Sequence, residues 1–130
     1  MEILIFKEMG IEAVMTRLCV QKAVYWGNPI GNGTGGFIYD PPIEIPCRWE
    51  DTAILVSDKE GNDLISKAVI YVLQDLDEEG MICLNSLDNL DSSLDIDPNN
   101  VDNTYIIKRF DKLPALKSST EFLRKAYLTV

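Results

Sequence analysis

Residues 43–50 read Ile-Glu-Ile-Pro-Cys-Arg-Trp-Glu, with Ile43, Ile45, Cys47 and Trp49 alternating against Glu44, Pro46, Arg48 and Glu50. Successive side chains of a strand point to opposite faces, so this pattern predicts a strand with one buried face and one wet face. Pro46 has no N–H to give to a ladder, which places it at an edge or a bulge. Just upstream, residues 20–26 switch to the same period. Val20, Val24 and Trp26 fall on one side and Gln21, Ala23 and Tyr25 on the other, with only Lys22 out of place.

Further strands follow from the same signals. Thr52 to Ser57 and Leu64 to Leu73 are β-rich runs flanking Asp58-Lys59-Glu60-Gly61-Asn62, where Gly61 can supply the positive φ of a short hairpin loop. Asp77-Glu78-Glu79-Gly80 is a second turn, leading into the apolar run Met81 to Leu84. Tyr105 to Phe110 is another strand, ended by Leu113-Pro114, and Lys125 to Val130 can close the sheet. Ser118 with Glu121 forms a capping pair that would open a short turn or helix. At the other end, Ile11, Val14, Met15 and Leu18 sit at i, i+3, i+4 and i+7, predicting a short amphipathic helix over residues 7–18 that Gly10 weakens at its start.

Six or seven short strands and one helix make a mostly β chain, a small β-barrel or sandwich with long loops, as one domain over residues 1–130. The alternation assigns Val24, Trp26, Ile45, Cys47, Trp49, Ile54, Val69 and Ile107 to one core. Two segments resist assignment to strands. Residues 27–42, Gly-Asn-Pro-Ile-Gly-Asn-Gly-Thr-Gly-Gly-Phe-Ile-Tyr-Asp-Pro-Pro, predict a flexible loop. A connection that long in a small domain is more often functional than idle. Residues 85–103 are polar and acidic with scattered leucines, predicting a second long loop with at most one helical turn.

Charge sharpens this division. Of 21 acids and 12 bases, nine acids and no base lie between Asp75 and Asn103, so the other twelve acids balance all twelve bases and the net −9 belongs to one segment. Asp88, Asp91, Asp95, Asp97 and Asp102 define an acidic assembly or solvation surface. No basic patch dominates, which excludes tight binding to the outside of a nucleic acid. A surface that DNA slides past without sticking remains compatible. No apolar run approaches the 18 or so residues of a membrane span. The opening Ile3-Leu4-Ile5-Phe6 is too short for a signal-peptide core. A cytosolic or virion protein is the expectation, with no membrane partner.

Motifs for chemistry fail on spacing. Gly31, Gly33 and Gly36 match the dinucleotide fingerprint, but Phe37-Ile38-Tyr39-Asp40-Pro41-Pro42 follows them and cannot start the helix that the pyrophosphate needs. Asp95, Asp97 and Asn99 mimic the first ligands of a calcium loop. Asn100 then stands where glycine is required, and Ile106 where a bidentate glutamate is required. Cys19, Cys47 and Cys83 are odd in number and widely spaced, and the chain has no histidine, so neither a zinc site nor the commonest general base is on offer. Buried, reduced thiols are the expectation. Arg48, Trp49, Glu50 and Asp51 form a polar cluster, yet alternation puts Trp49 in the core and the charges outside. Neither an enzyme activity nor a cofactor is indicated.

Three stretches in order carry a resemblance: Ala23-Val24-Tyr25-Trp26 running into the glycine-rich loop, Ile45-Pro46-Cys47-Arg48-Trp49-Glu50-Asp51 before the Asp58–Asn62 turn, and Phe122-Leu123-Arg124-Lys125-Ala126-Tyr127-Leu128. Over roughly residues 15–128 the chain resembles tailed-bacteriophage neck proteins of the head-closure, or stopper, type. The resemblance implies a β-barrel subunit that forms a homo-oligomeric ring of six or twelve copies below the portal and adaptor. Such a ring closes the DNA-filled head, docks tail terminator or tail proteins, and lets packaged DNA pass through its channel. It is assembled in the host cytoplasm and resides in the virion neck. In such proteins a long loop can project into the channel, and Asn28, Pro29, Ile30, Gly31, Asn32, Gly33, Thr34, Gly35 and Gly36 match it in place and length. The acidic residues 85–103 depart from the family pattern. Another neck component (an adaptor or tail terminator) and a monomeric β interaction module are the alternatives.

Overall fold

The computed structural model describes residues 13–58, 60–90, 97–114 and 122–130. Six strands form a barrel: β1 (Gln21–Trp26), β4 (Ile43–Glu50), β7 (Ala68–Val72), β8 (Met81–Cys83), β9 (Tyr105–Pro114) and β10 (Phe122–Thr129). All neighbours are antiparallel, and the pairing order β1-β4-β7-β10-β9-β8 returns to β1. Two two-stranded hairpins stand apart from it: β2 (Ile30–Gly31) with β3 (Phe37–Ile38), and β5 (Leu55–Ser57) with β6 (Asp63–Ile65). Residues 13–18 are helical, with Val14 and Met15 buried as the periodicity predicts. The rest of the predicted helix, residues 7–12, lies outside the described residues, as do Ser118 and Glu121.

The strand that decided the fold follows its pattern at its centre but not at its start, where Ile43, expected on the buried face, is exposed. Ile45 and Cys47 are buried while Glu44, Pro46 and Arg48 are exposed. Pro46 is not on an edge strand, because β4 pairs with β1 on one side and β7 on the other. The Trp49 N–H points to the Gln21 side chain beside β1, at 2.8 Å. Alternation then turns the Pro46 nitrogen toward β7, whose ladder with β4 begins only at Cys47. The missing donor costs no ladder bond.

The predicted single core is divided in two. Ala23, Tyr25, Ile45, Cys47, Ile70, Val72, Ile82, Ile107 and Leu128 belong to the cluster of the barrel interior. Val24 and Trp26 face the opposite way and pack with Met81, Cys83, Tyr39, Leu90, Val101 and Ile106. From Ala23 onward strand β1 is therefore buried on both faces, which the unbroken run Ala23-Val24-Tyr25-Trp26 signals once alternation is not taken to mean one wet face. Val20, expected on the same face, precedes the strand and is exposed. Trp49 and Ile54 are only half-buried; Trp49 packs at the margin of the interior against Tyr105, with ring centroids 5.5 Å apart. Val69 is buried, on the face of β7 opposite Ala68, Ile70 and Val72, and lies outside both clusters.

The same observation corrects the acidic segment. It holds two 3-10 turns where at most one was expected, Leu87–Asn89 and Pro98–Asn100. Leu90 and Val101 roof Trp26, and Pro98 is buried. Leu90 and Val101 thus cover the outer wall of β1 and β8, while Leu87 is exposed.

Candidate functional site

The glycine-rich segment after β1 is a clamped, projecting hairpin and not an irregular loop. At its base the Asp40 N–H donates to the Gly27 carbonyl at 3.0 Å, and the Asn28 side chain reaches Asp40 at 3.4 Å. At its tip a single side chain organises the turn: Asn32 Oδ1 accepts from the Thr34 N–H, the Thr34 hydroxyl and the Gly36 N–H. Gly33 and Gly35 take φ of +83° and +89°, which residues with a Cβ rarely adopt. Between base and tip, Ile30 and Ile38 are cross-strand partners and are 57% and 62% exposed. Of the residues singled out from sequence, Asn28 belongs to the base, Ile30 and Gly31 to β2, and Asn32 to Gly36 to the turn; Pro29 joins base to strand.

The second hairpin repeats the device. Its turn is held by Asp58, whose Oδ1 accepts from the Glu60 and Asn62 N–H groups, with Gly61 at φ +85°. The Asn62 and Glu60 N–H bonds hold the Asp58 carboxyl below the usual carboxylate range. Leu55 and Ile65 are again paired across the strands and are 69% and 62% exposed. Two hairpins thus each display an aliphatic pair to solvent, a feature the sequence marked only as strands beside turns.

The base of the first hairpin is tied to the turn before β8. The Tyr25 hydroxyl donates to Asp77 Oδ2 and accepts from the Asp77 N–H at 2.7 Å, while the Asn28 N–H donates to the same carboxylate at 2.8 Å. These partners are about fifty residues apart in sequence, and no local pattern announces them. Burial, above all, pushes the Tyr25 hydroxyl up to about 12, with the Asp77 carboxylate adding to it. Burial also pushes the Cys47 thiol up to about 12, with Cys19 contributing, and raises Cys19. All three cysteines are buried, and none forms a disulfide. Groups with folded pKa values raised above 10.0 for tyrosine and 9.0 for cysteine stabilise the fold fully below those values and lose that contribution as pH rises toward about 12. Stability to urea should therefore decline from pH 9 to 12. The decline should be less steep for Tyr25→Phe, whose own starting stability is lower because the Asp77 N–H loses its acceptor, a loss of roughly 1–3 kcal/mol. Equal slopes in parent and variant would exclude Tyr25 as a titrating group.

The acidic segment is less uniform than its composition. Asp75 binds Arg124 at 2.8 Å and Lys112 at 3.2 Å, and these two contacts, Arg124 first, hold its carboxyl below the usual range. Glu79 pairs with Lys108 at 3.3 Å. Asp88, Asp97 and Asp102 form no ion pair among the described residues; Asp91 and Asp95 lie outside them. Asp97 Oδ1 accepts from both nitrogens of Asn99, so it caps a 3-10 turn where a calcium loop would present a ligand. Among the described residues no group of three histidine, cysteine or acidic side chains could hold a metal, and no helix is long and apolar enough to cross a membrane. In the Arg48 to Asp51 cluster, Arg48 pairs with Glu50 at 3.2 Å and the Trp49 indole N–H donates to Asp51 at 3.0 Å, so these groups satisfy one another. The sequence matches no protein-family model and no curated protein.

Proposed function

We propose that this chain is a structural subunit of a tailed-phage neck, of the head-closure type, which assembles into a ring between the DNA-filled head and the tail. The observation that carries the reading is the clamped β2–β3 hairpin. It projects between β1 and β4 with Ile30 and Ile38 uncovered, at the position where the resemblance calls for a channel or ring-contact loop. Exposed aliphatic pairs on two hairpins suit contacts to neighbouring subunits, since apolar surface left in water is stabilised by burial at an interface. Strand-dominated architecture favours a head-closure protein over an adaptor, which is usually helix-rich. The negative charge of residues 75–103 suits a wall or rim that DNA does not adhere to.

Ile30→Ser with Ile38→Ser, and separately Leu55→Ser with Ile65→Ser, test this. Both pairs are exposed, so the subunit should keep its far-ultraviolet circular dichroism and its thermal midpoint. Particles carrying the first pair should lose DNA from filled heads or fail to join tails, as seen by negative-stain microscopy. Fully infectious particles with both pairs replaced would remove the hairpins from assembly and leave a monomeric interaction module as the reading.

A further inference from the structure

Beside the root of β3, the first hairpin and the Pro98–Asn100 turn enclose an open cleft of about 230 Å³. Among the described residues, Phe37, Ile38, Tyr39, Pro41, Pro98 and Asp97 line it. The volume is below the ~300–1,000 Å³ of sites for drug-sized molecules and suits a single side chain. Two aromatic residues line it, Phe37 and Tyr39, with ring centroids 6.3 Å apart and planes tilted by 49°. Asp97 also lines the cleft, and its charge acts on Tyr39. Its Oδ1 is spent on the Asn99 cap, while Oδ2 accepts no hydrogen bond among the described residues. The Tyr39 hydroxyl is raised in pKa, first by burial and then by the Glu79 and Asp97 carboxylates, so both charges act on this spot. Glu79 is already paired with Lys108; Asp97 is not paired among the described residues.

We infer that this cleft is a recognition pocket for a lysine or arginine side chain presented by a segment of another protein. Aromatic faces attract a cation through the ring quadrupole, prolines and Ile38 accept its aliphatic stem, and Asp97 Oδ2 supplies the counter-charge. The occupant's source follows from charge. Outside residues 75–103 a second copy of this chain is charge-balanced, twelve acids to twelve bases, and so gains little from this acidic segment, whereas a basic partner is attracted. The inference stands on the cleft and its charges and does not require the ring.

The test uses the isotopically labelled full chain and two probes, acetyl-Leu-Arg-Leu amide and its citrulline counterpart, which keeps shape and removes charge. Amide resonances of Ile38, Tyr39 and Asn99 should shift saturably with the arginine peptide. The citrulline peptide should bind about threefold to thirtyfold more weakly, the range of one exposed ion pair and one exposed cation–π contact together. Asp97→Asn preserves the cap, because asparagine caps as well as aspartate, and should shrink the preference to the part that the aromatic rings supply. Asp88→Asn makes the same change in net charge outside the cleft and should leave it intact. Equal affinity for the two peptides, shifts spread away from the cleft, or equal loss in Asp88→Asn would overturn the pocket. Cleft resonances that move with protein concentration alone would make a second copy the occupant and overturn the assignment to another protein.

Discussion

Replacing Trp26 with alanine should lower the unfolding free energy by about 3–5 kcal/mol, the range for truncating a buried large aromatic residue. Trp26 is 0% exposed and is the largest fully buried side chain. It joins β1 and β8 to Leu90 and Val101 of the acidic segment, so its removal leaves a cavity at the junction of three parts. A domain of this size has only ~5–15 kcal/mol in hand. Trp49→Ala should cost visibly less, because Trp49 is half-buried and its indole N–H bonds outward to Asp51. Urea unfolding of the two variants checks the order. A larger loss at Trp49 than at Trp26 would mean that the outer cluster is not a true core.

Gly80→Ala is the second change with a large expected effect. A Cβ at Gly80 would lie 2.9 Å from the Asp77 carbonyl oxygen and 3.0 Å from that of Trp26. Both are backbone atoms, so no side chain can swing aside. The Gly80 N–H donates to the Asp77 carbonyl, and its own carbonyl accepts from the Ile107 N–H. Relief of the clash therefore disturbs the turn, β1 and the start of β9 together. Overpacking of this kind costs about 1–3 kcal/mol, and the loss should appear as a lowered thermal midpoint. Gly31→Ala is the comparison: no heavy atom comes within 4 Å of the added Cβ and no positive φ is imposed, so the midpoint should hardly move. A thermal midpoint for Gly80→Ala equal to that of Gly31→Ala would refute the close approach.

The positions of strands and turns were legible because period two and turn chemistry are local. Residues 43–50 and the Asp58–Asn62 turn appear where those signals place them. What failed was the step from alternation to one core. Alternation separates Val24 and Trp26 from Ala23 and Tyr25, but it cannot say that the outer face is roofed by residues more than sixty positions downstream. Leu90 and Val101 looked like isolated apolar residues in a solvated loop, since a roof of 3-10 turns has no long period to detect. The β2–β3 hairpin escaped for a related reason: two residue pairs are too few for a pattern, and its order comes from the Asn32 side chain. The Asp97 cleft unites residues from the first hairpin and the acidic segment, a juxtaposition only the tertiary fold supplies.

The strand β8 is three residues long, sharing three residue pairs with β1 and two with β9. A cylinder of strands offers no unsatisfied rim for another chain to extend. Here that protection hangs on the shortest stave. If β8 lifts, β1 and β9 each bare a row of amides and carbonyls, and the cylinder becomes a sheet that foreign strands can lengthen. Short, locally paired elements open at lower free energy than the whole domain. Leu90 and Val101, packed on the outer cluster that holds Met81 and Cys83, are thus a bolt across the seam, and loosening them should favour strand-swapped association.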